Sequence, residues 1–154
     1  GEERYAKRIA RAISEERKLK PIVTTVHLAN VVKAAHPRWE RHKHPATQTF
    51  QAIRIRINNE LEDLKLGLEQ SLDVLKIGGR LLVISFHSLE DRIVKRFIRK
   101  QAHAAVELKK LPVIPVEWRP RLKSLGRGIK ADAYAIKVNP RSRSAVLRIA
   151  EKIL

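Results

Sequence analysis

Residues 78–92 read Gly78-Gly79-Arg80-Leu81-Leu82-Val83-Ile84-Ser85-Phe86-His87-Ser88-Leu89-Glu90-Asp91-Arg92, and this stretch decides the fold class. The glycine pair ends one element and opens a turn. The apolar run 81–86 does not alternate, so it reads as a strand buried on both faces, as in a parallel sheet. Ser88 with Asp91 matches a capping box, and Glu90 and Asp91 suit the positive end of a helix. That helix runs to about Gln101 and turns Ile93, Val94, Phe97 and Ile98 inward. Helix, tight turn, buried strand and helix form an α/β signature.

Upstream, Phe50, Ile53, Ile57, Leu61, Leu64, Leu68, Leu72 and Leu75 recur at helical spacing. They predict one long helix from about Ala46 to Lys76, with Gly67 as the place for a bend. Tyr5, Ile9 and Ile13 predict an earlier helix from Glu2 to about Lys18, closed off before Pro21. Thr24 or Thr25 caps a second helix bearing Leu28, Val31, Val32 and Ala35, which stops before Pro37. Residues 36–45 form a loop. Downstream lie a proline-bearing linker over 102–120, a weaker strand over 122–129, a segment 132–139 open between helix and strand, and a final strand over 145–150. A strand apolar on both faces needs neighbours on both edges, and few are available. The sheet is therefore expected to be incomplete, with strands missing upstream. A first residue that is Gly, and the lack of any Met, fit a trimmed product or a piece of a longer chain.

The charge narrows the partner. The 154 residues carry 33 Lys and Arg against 16 Asp and Glu, a formal net charge of +17. Only the stretch 60–79 has more acidic than basic groups. Such an excess favours a polyanion, because each phosphate contact releases counterions. The basic groups are not confined to one amphipathic helix, which argues for nucleic acid over a membrane surface. No apolar run is long enough to span a bilayer, and no signal-peptide pattern opens the chain, so a soluble cytoplasmic protein is expected. With no Cys, disulfides and thiolate zinc sites are excluded.

Several segments are candidates for chemistry. Residues 85–92 follow the carboxyl end of the buried strand, where ligands of open α/β sheets bind, so Ser85, His87 and Ser88 are candidates to face a substrate. Ser88 as a plain cap and His87 as a turn residue are the competing readings. His36, His42 and His44 have only Glu40 as a nearby carboxylate and match no standard zinc spacing, so they read as a basic loop meeting RNA phosphate rather than a metal site. Trp39 suits either stacking on a base or packing. Arg54 and Asn58 border a pocket or pair with neighbouring acids, while Arg141 and Arg143 form a second basic spot. Gly126-Arg127-Gly128 is too short to count as a dinucleotide fingerprint. No nucleophile–base arrangement or paired-carboxylate site is evident, and no catalytic residue is assigned.

Longer motifs point to a family. His44-Pro45-Ala46-Thr47-Gln48-Thr49-Phe50-Gln51-Ala52-Ile53-Arg54 with Asn58-Asn59-Glu60-Leu61 resembles the HPATRTFQALRI…VNxEL signature of the RsmH (MraW) methyltransferases. Residues 78–92 resemble that family's GGRL…SFHSLEDR stretch, residues 139–148 its NPRARSAxLR ending, and residues 1–6 its GEERFA opening. The resemblance covers essentially the whole chain. It implies S-adenosylmethionine-dependent methylation of the N4 amine of a cytosine in 16S rRNA, with the rRNA or the small ribosomal subunit as partner. It also implies an α/β fold: the C-terminal part of a class I Rossmann-like methyltransferase sheet plus part of an inserted helical domain. Residues 1–45 would end that substrate-recognition insertion and residues 46–154 would close the catalytic domain. Residues 132–139 resolve toward a short helix before a final antiparallel strand.

The family's cofactor motifs, a GTxGxGGHS-type loop and a DLGxSS-type segment, do not occur here. The resemblance therefore assigns no cofactor contact to these residues, and the chain alone is expected to be inactive. What it implies for these residues is RNA placement: His44, Thr47, Gln48, Arg54 and Asn58 after the insertion, Ser85, His87 and Ser88 at the strand end, and Arg141 and Arg143 on phosphate. Two other readings compete. One is a non-catalytic basic RNA- or ribosome-binding module, and the other a DNA-binding role separable by comparing affinities at matched salt. An incomplete sheet also leaves a homodimer or domain swap open.

Overall fold

The computed structural model describes residues 2–38, 44–103, 115 and 119–154. The expected linker over 102–120 falls largely outside these residues. The chain divides into two compact units, Gly1–Glu60 and Leu61–Leu154.

The first unit is helical. Helix α1 (Ala6–Leu19) and α2 (Thr25–Ala35) form where the periodicity puts them. Thr24 is the cap of α2, its Oγ1 accepting from the His27 amide at 3.1 Å. Ile9, Val32, Ala35 and Ala46 are buried together, with Tyr5, Leu28 and Phe50 packed around them. Helix α3 (Thr47–Ile57) closes the unit.

The expected continuous helix over 46–76 is broken. Asn58 caps α3, Asn59 has φ 54° in the left-handed region, and α4 (Glu60–Val74) starts immediately after. Asn is among the few non-glycine residues that tolerate this conformation. The apolar stripe is correspondingly divided: Phe50 belongs to the first core, Leu68 and Leu72 to the second, and Ile57 is exposed at the break. Gly67, the position suspected of bending, lies inside α4 with open space around it.

The second unit holds α4, strand β1 (Arg80–Ser85), α5 (Ser88–Ala102), β2 (Leu122–Ser124), β3 (Ile129–Lys130), α6 (Ala133–Val138), a 3-10 turn (Pro140–Ser144) and β4 (Val146–Lys152). Gly78, at φ 79°, and Gly79 make the expected turn: the Gly78 amide donates to Lys152 O at 2.8 Å. Strand β4 is central, with β1 antiparallel on one edge and β2 and β3 antiparallel on the other. Leu68, Leu72, Val94, Phe97, Ile98, Leu122 and Ala150 pack beneath the sheet as its core. The Lys152 ammonium donates to Leu72 O at 2.6 Å and Leu75 O at 2.7 Å, filling carbonyls that the end of α4 leaves open.

Two expectations for β1 are corrected. Among the described residues it pairs with β4 alone, the expected antiparallel final strand, and not with a parallel neighbour. It is also half-buried: Leu81 and Val83 face the core, while Leu82, Ile84 and Phe86 are 58%, 59% and 55% exposed. The mixed α/β composition stands, with an antiparallel sheet among the described residues. No helix among them is long and apolar enough to cross a membrane.

Candidate functional site

The amino end of β4 meets the carboxyl end of β1, since Ser85 is opposite Val146. Lys130 is opposite Val146 on the other edge. The turn Pro140–Ser144 runs into β4 at this point, so Arg141 and Arg143 sit at the same end of the sheet as Ser85, His87 and Ser88. Register alone thus gathers the five candidates of this unit.

Their local geometry differs from the expected capping box. His87, not Ser88, is the N-cap of α5: its φ of −139° and ψ of 161° are still extended, and Ser88 is the first helical residue. The His87 Nδ1 accepts from the Glu90 amide at 3.4 Å. Glu90, rather than Asp91, answers by accepting from the amides of Phe86 at 2.9 Å and His87 at 3.3 Å. Accepting at Nδ1 places the neutral imidazole proton on Nε2. That nitrogen is buried, 3.1 Å from Glu90 Oε1 but without hydrogen-bond alignment. Ser85 is buried, and Ser88 is exposed.

Asp91 is taken up elsewhere. Arg148 of β4 donates from Nε to Oδ1 at 2.7 Å and from Nη2 to Oδ2 at 3.0 Å. This hydrogen bonding holds the Asp91 carboxyl below its ordinary range against the opposing effect of burial, and the charges of Arg148, Lys95 and Lys130 add to it. The sequence reading missed this pair because its members are far apart in the chain.

Arg141 and Arg143 are exposed and make no ion pair among the described residues. Their turn is held by Asn139, whose Oδ1 accepts from the Arg141 amide at 3.1 Å and whose carbonyl accepts from Ser142 Oγ at 2.7 Å. With Pro140 fixing the first position, two guanidinium groups are presented on a rigid support.

The other five candidates belong to the first unit. His44 starts α3: its Nδ1 accepts from the Ala46 amide at 3.2 Å, and its carbonyl accepts from the Thr47 amide and from Thr47 Oγ1 at 2.7 Å. Gln48 Nε2 donates to Glu2 O at 3.4 Å. Arg54 is paired: its Nε and Nη2 lie 2.8 and 3.0 Å from the Glu60 carboxylate, which also accepts from Asn58 Nδ2 at 3.2 Å. Arg54, Asn58 and Glu60 thus brace the break between α3 and α4, the acid-pairing alternative of the sequence reading.

His36 is engaged within the first unit. Its ring meets Tyr5 edge-on at 4.8 Å, and its Nε2 lies 3.5 Å from Glu3 Oε1, which accepts from the Tyr5 amide at 2.9 Å. Thr49 Oγ1, Glu3 Oε2 and His36 Nδ1 are buried without a hydrogen bond. Thr49 and Glu3 escaped the sequence reading, since nothing in their spacing marks a polar group as buried. Trp39, Glu40 and His42 lie outside the described residues.

The model of the MraW methylase family matches residues 1–153. The chain is 58% identical over 153 residues to the ribosomal RNA small subunit methyltransferase H of Legionella pneumophila strain Paris, covering 99% of this chain and 50% of that protein. The protein of the same name from strain Philadelphia 1 gives the same figures, and that from strain Corby is 57% identical. The chain spans half the length of the curated relatives it matches.

Proposed function

The chain belongs to the MraW methylase family, and from that premise we propose that it is the C-terminal half of an enzyme methylating the N4 amine of a cytosine in 16S rRNA, with S-adenosylmethionine as donor. The observation that carries this is the basic end of the sheet, where Arg141 and Arg143 lead into β4 at the same end as the His87-capped start of α5. Groups of this kind meet phosphate and orient a strand. A cytosine N4 is a poor nucleophile because its lone pair is delocalised into the ring. Much of the rate enhancement therefore rests on holding that nitrogen in place.

On this reading His44, Thr47, Gln48, Arg54 and Asn58 in the first unit and Ser85, His87, Ser88, Arg141 and Arg143 in the second contribute RNA contacts. Residues 1–45 are the tail of the helical insertion and 46–154 the end of the catalytic domain. The carboxylates of Asp91 and Glu90 at the basic sheet end are committed to Arg148 and to the α5 cap, a poor fit to a sulfonium cation. No step involving the cofactor is assigned to these residues, and the chain alone is expected to transfer no methyl group.

The exposed outer face of β1, and its edge without a partner among the described residues, support a sheet that continues. We assign the missing strands to the half of the protein that the relatives carry, in a class I Rossmann-like arrangement, in preference to a second copy of this chain. The setting would be the cytoplasm, where small subunits are assembled.

The test uses the full-length protein with Arg54→Ala, His87→Ala and Arg141→Ala. We expect weaker binding of small-subunit rRNA and slower methyl transfer, with the 154-residue chain itself inactive. Unchanged methylation and affinity in all three variants would overturn the assignment.

A further inference from the structure

A second basic feature lies along the edge of β4 that carries β2 and β3. Ser124 pairs with Ala150 and Ile129 with Leu147, so the segment opposite β4 is longer than β4 itself between those points. The Leu125 amide still donates to Ile149 O at 3.0 Å. The surplus is pushed out as a bulge, Gly126-Arg127-Gly128. Gly126 takes φ 89°, which side chains resist, and a Cβ on Gly128 would come 2.8 Å from Val146 Cγ1. Both glycines are therefore required by the bulge, and what it displays is Arg127. Bulges commonly re-aim a side chain in this way.

Arg127 borders an open pocket of about 450 Å³, with Lys95 and Arg99 of α5, His103, Ser124 and Arg148 as its other polar lining. Ile98 and Ile149 supply an apolar floor, and no Asp or Glu among the described residues lines it. Asp91 is engaged by Arg148, and Arg99 and Arg127 have no ion pair among the described residues. Uncompensated cations around a concavity attract an anion.

We propose that this pocket, on the β2–β3 flank of β4, binds a backbone phosphate of RNA, gripped by Arg127 and Arg99 and supported by Lys95 and Ser124. The inference rests on the RNA-methylating reading and adds a holding point to it. Guanidinium groups suit phosphate because their donors match its oxygens in pairs. A concave site on the sheet flank, rather than an amphipathic helix, favours a nucleic-acid strand over a lipid surface.

The experiment titrates the full-length protein with a small-subunit rRNA fragment across a range of salt, alongside vesicles of anionic phospholipid. Arg127→Ala, with Arg99→Ala, is expected to lower RNA affinity by about 10-fold and the salt slope by about 1 per lost phosphate contact. Arg127→Lys should restore part of the affinity, and the melting temperature should not move. Replacing RNA phosphates one at a time by neutral methylphosphonate should reveal a position whose effect disappears in Arg127→Ala. Wild-type slope and affinity in the double variant, from a protein that still methylates, would overturn the pocket and leave the function standing. Loss of vesicle binding alone would overturn it in favour of lipid. A wild-type protein that neither binds nor methylates rRNA would overturn both readings.

Discussion

Arg148 grips Asp91 with two parallel hydrogen bonds, at 2.7 and 3.0 Å, and so fastens the central strand β4 to the first turn of α5. The two residues are only about a fifth to a quarter exposed, so solvent screens the pair less than a surface one. Removing one partner leaves the other's charge partly buried. Arg148→Met or Asp91→Asn should each cost about 1–3 kcal/mol in denaturant unfolding. The double variant should lose clearly less than the sum of the two. Strict additivity would show that the pair is not coupled.

The same pair sets an acid limit. Because the folded carboxyl of Asp91 is held below its unfolded value of about 3.9, its stabilising contribution is complete above that pH. It is lost as pH falls further, through the lower folded value. Melting temperatures measured from about pH 6 down to 2 should fall less steeply in Arg148→Met than in wild type. Equal slopes would remove Asp91 from the account.

His87 combines a cap with a buried ring nitrogen, and the two roles separate by substitution. His87→Ala should destabilise the protein by about 1 kcal/mol, while His87→Asn should recover most of that, since Asn caps well. Methyl transfer that stays low in a stable His87→Asn protein would assign the imidazole a part in substrate placement. Full activity in that variant would reduce His87 to a structural cap.

Asn59 makes the break after α3, at φ 54°. Asn59→Gly should leave stability within about 0.5 kcal/mol, and Asn59→Ala should lose about 1 kcal/mol, because a Cβ without a local polar partner disfavours this conformation. An Asn59→Ala protein with greater stability and more helix by circular dichroism would mean that the break is not imposed at this residue.

The sequence made helices α1, α2 and α5 legible because one apolar face each, at Ile9, Val32 and Val94, repeats at helical spacing. It did not show the break at Asn58-Asn59, since periodicity counts apolar positions and is blind to one left-handed residue between them. For β1 the apolar run correctly announced a strand. Such a run reports that a face avoids water, without telling which segment covers it or in which direction that segment runs. The site divides similarly. Arg141 and Arg143 were legible as a local cluster, and the place after the strand, with the long family motif around it, pointed to His87. Arg148 with Asp91, and Arg127 with Arg99, join residues from distant segments, brought together by the packing of α5 on the sheet.

The register of β4 also orders events during synthesis. Among the described residues β4 is the strand to which β1, β2 and β3 all bond, and it is made after them. A nascent chain that has reached Asn139 contains β1, β2 and β3 without the strand they share, and Leu81 must wait for Ala150. Throughout that interval the edge of Leu81–Ile84 that β4 will pair is open on the ribosome, the kind of strand edge that aggregation exploits. Variants that slow translation just before Val146 would lengthen this exposure without altering a single contact of the finished fold.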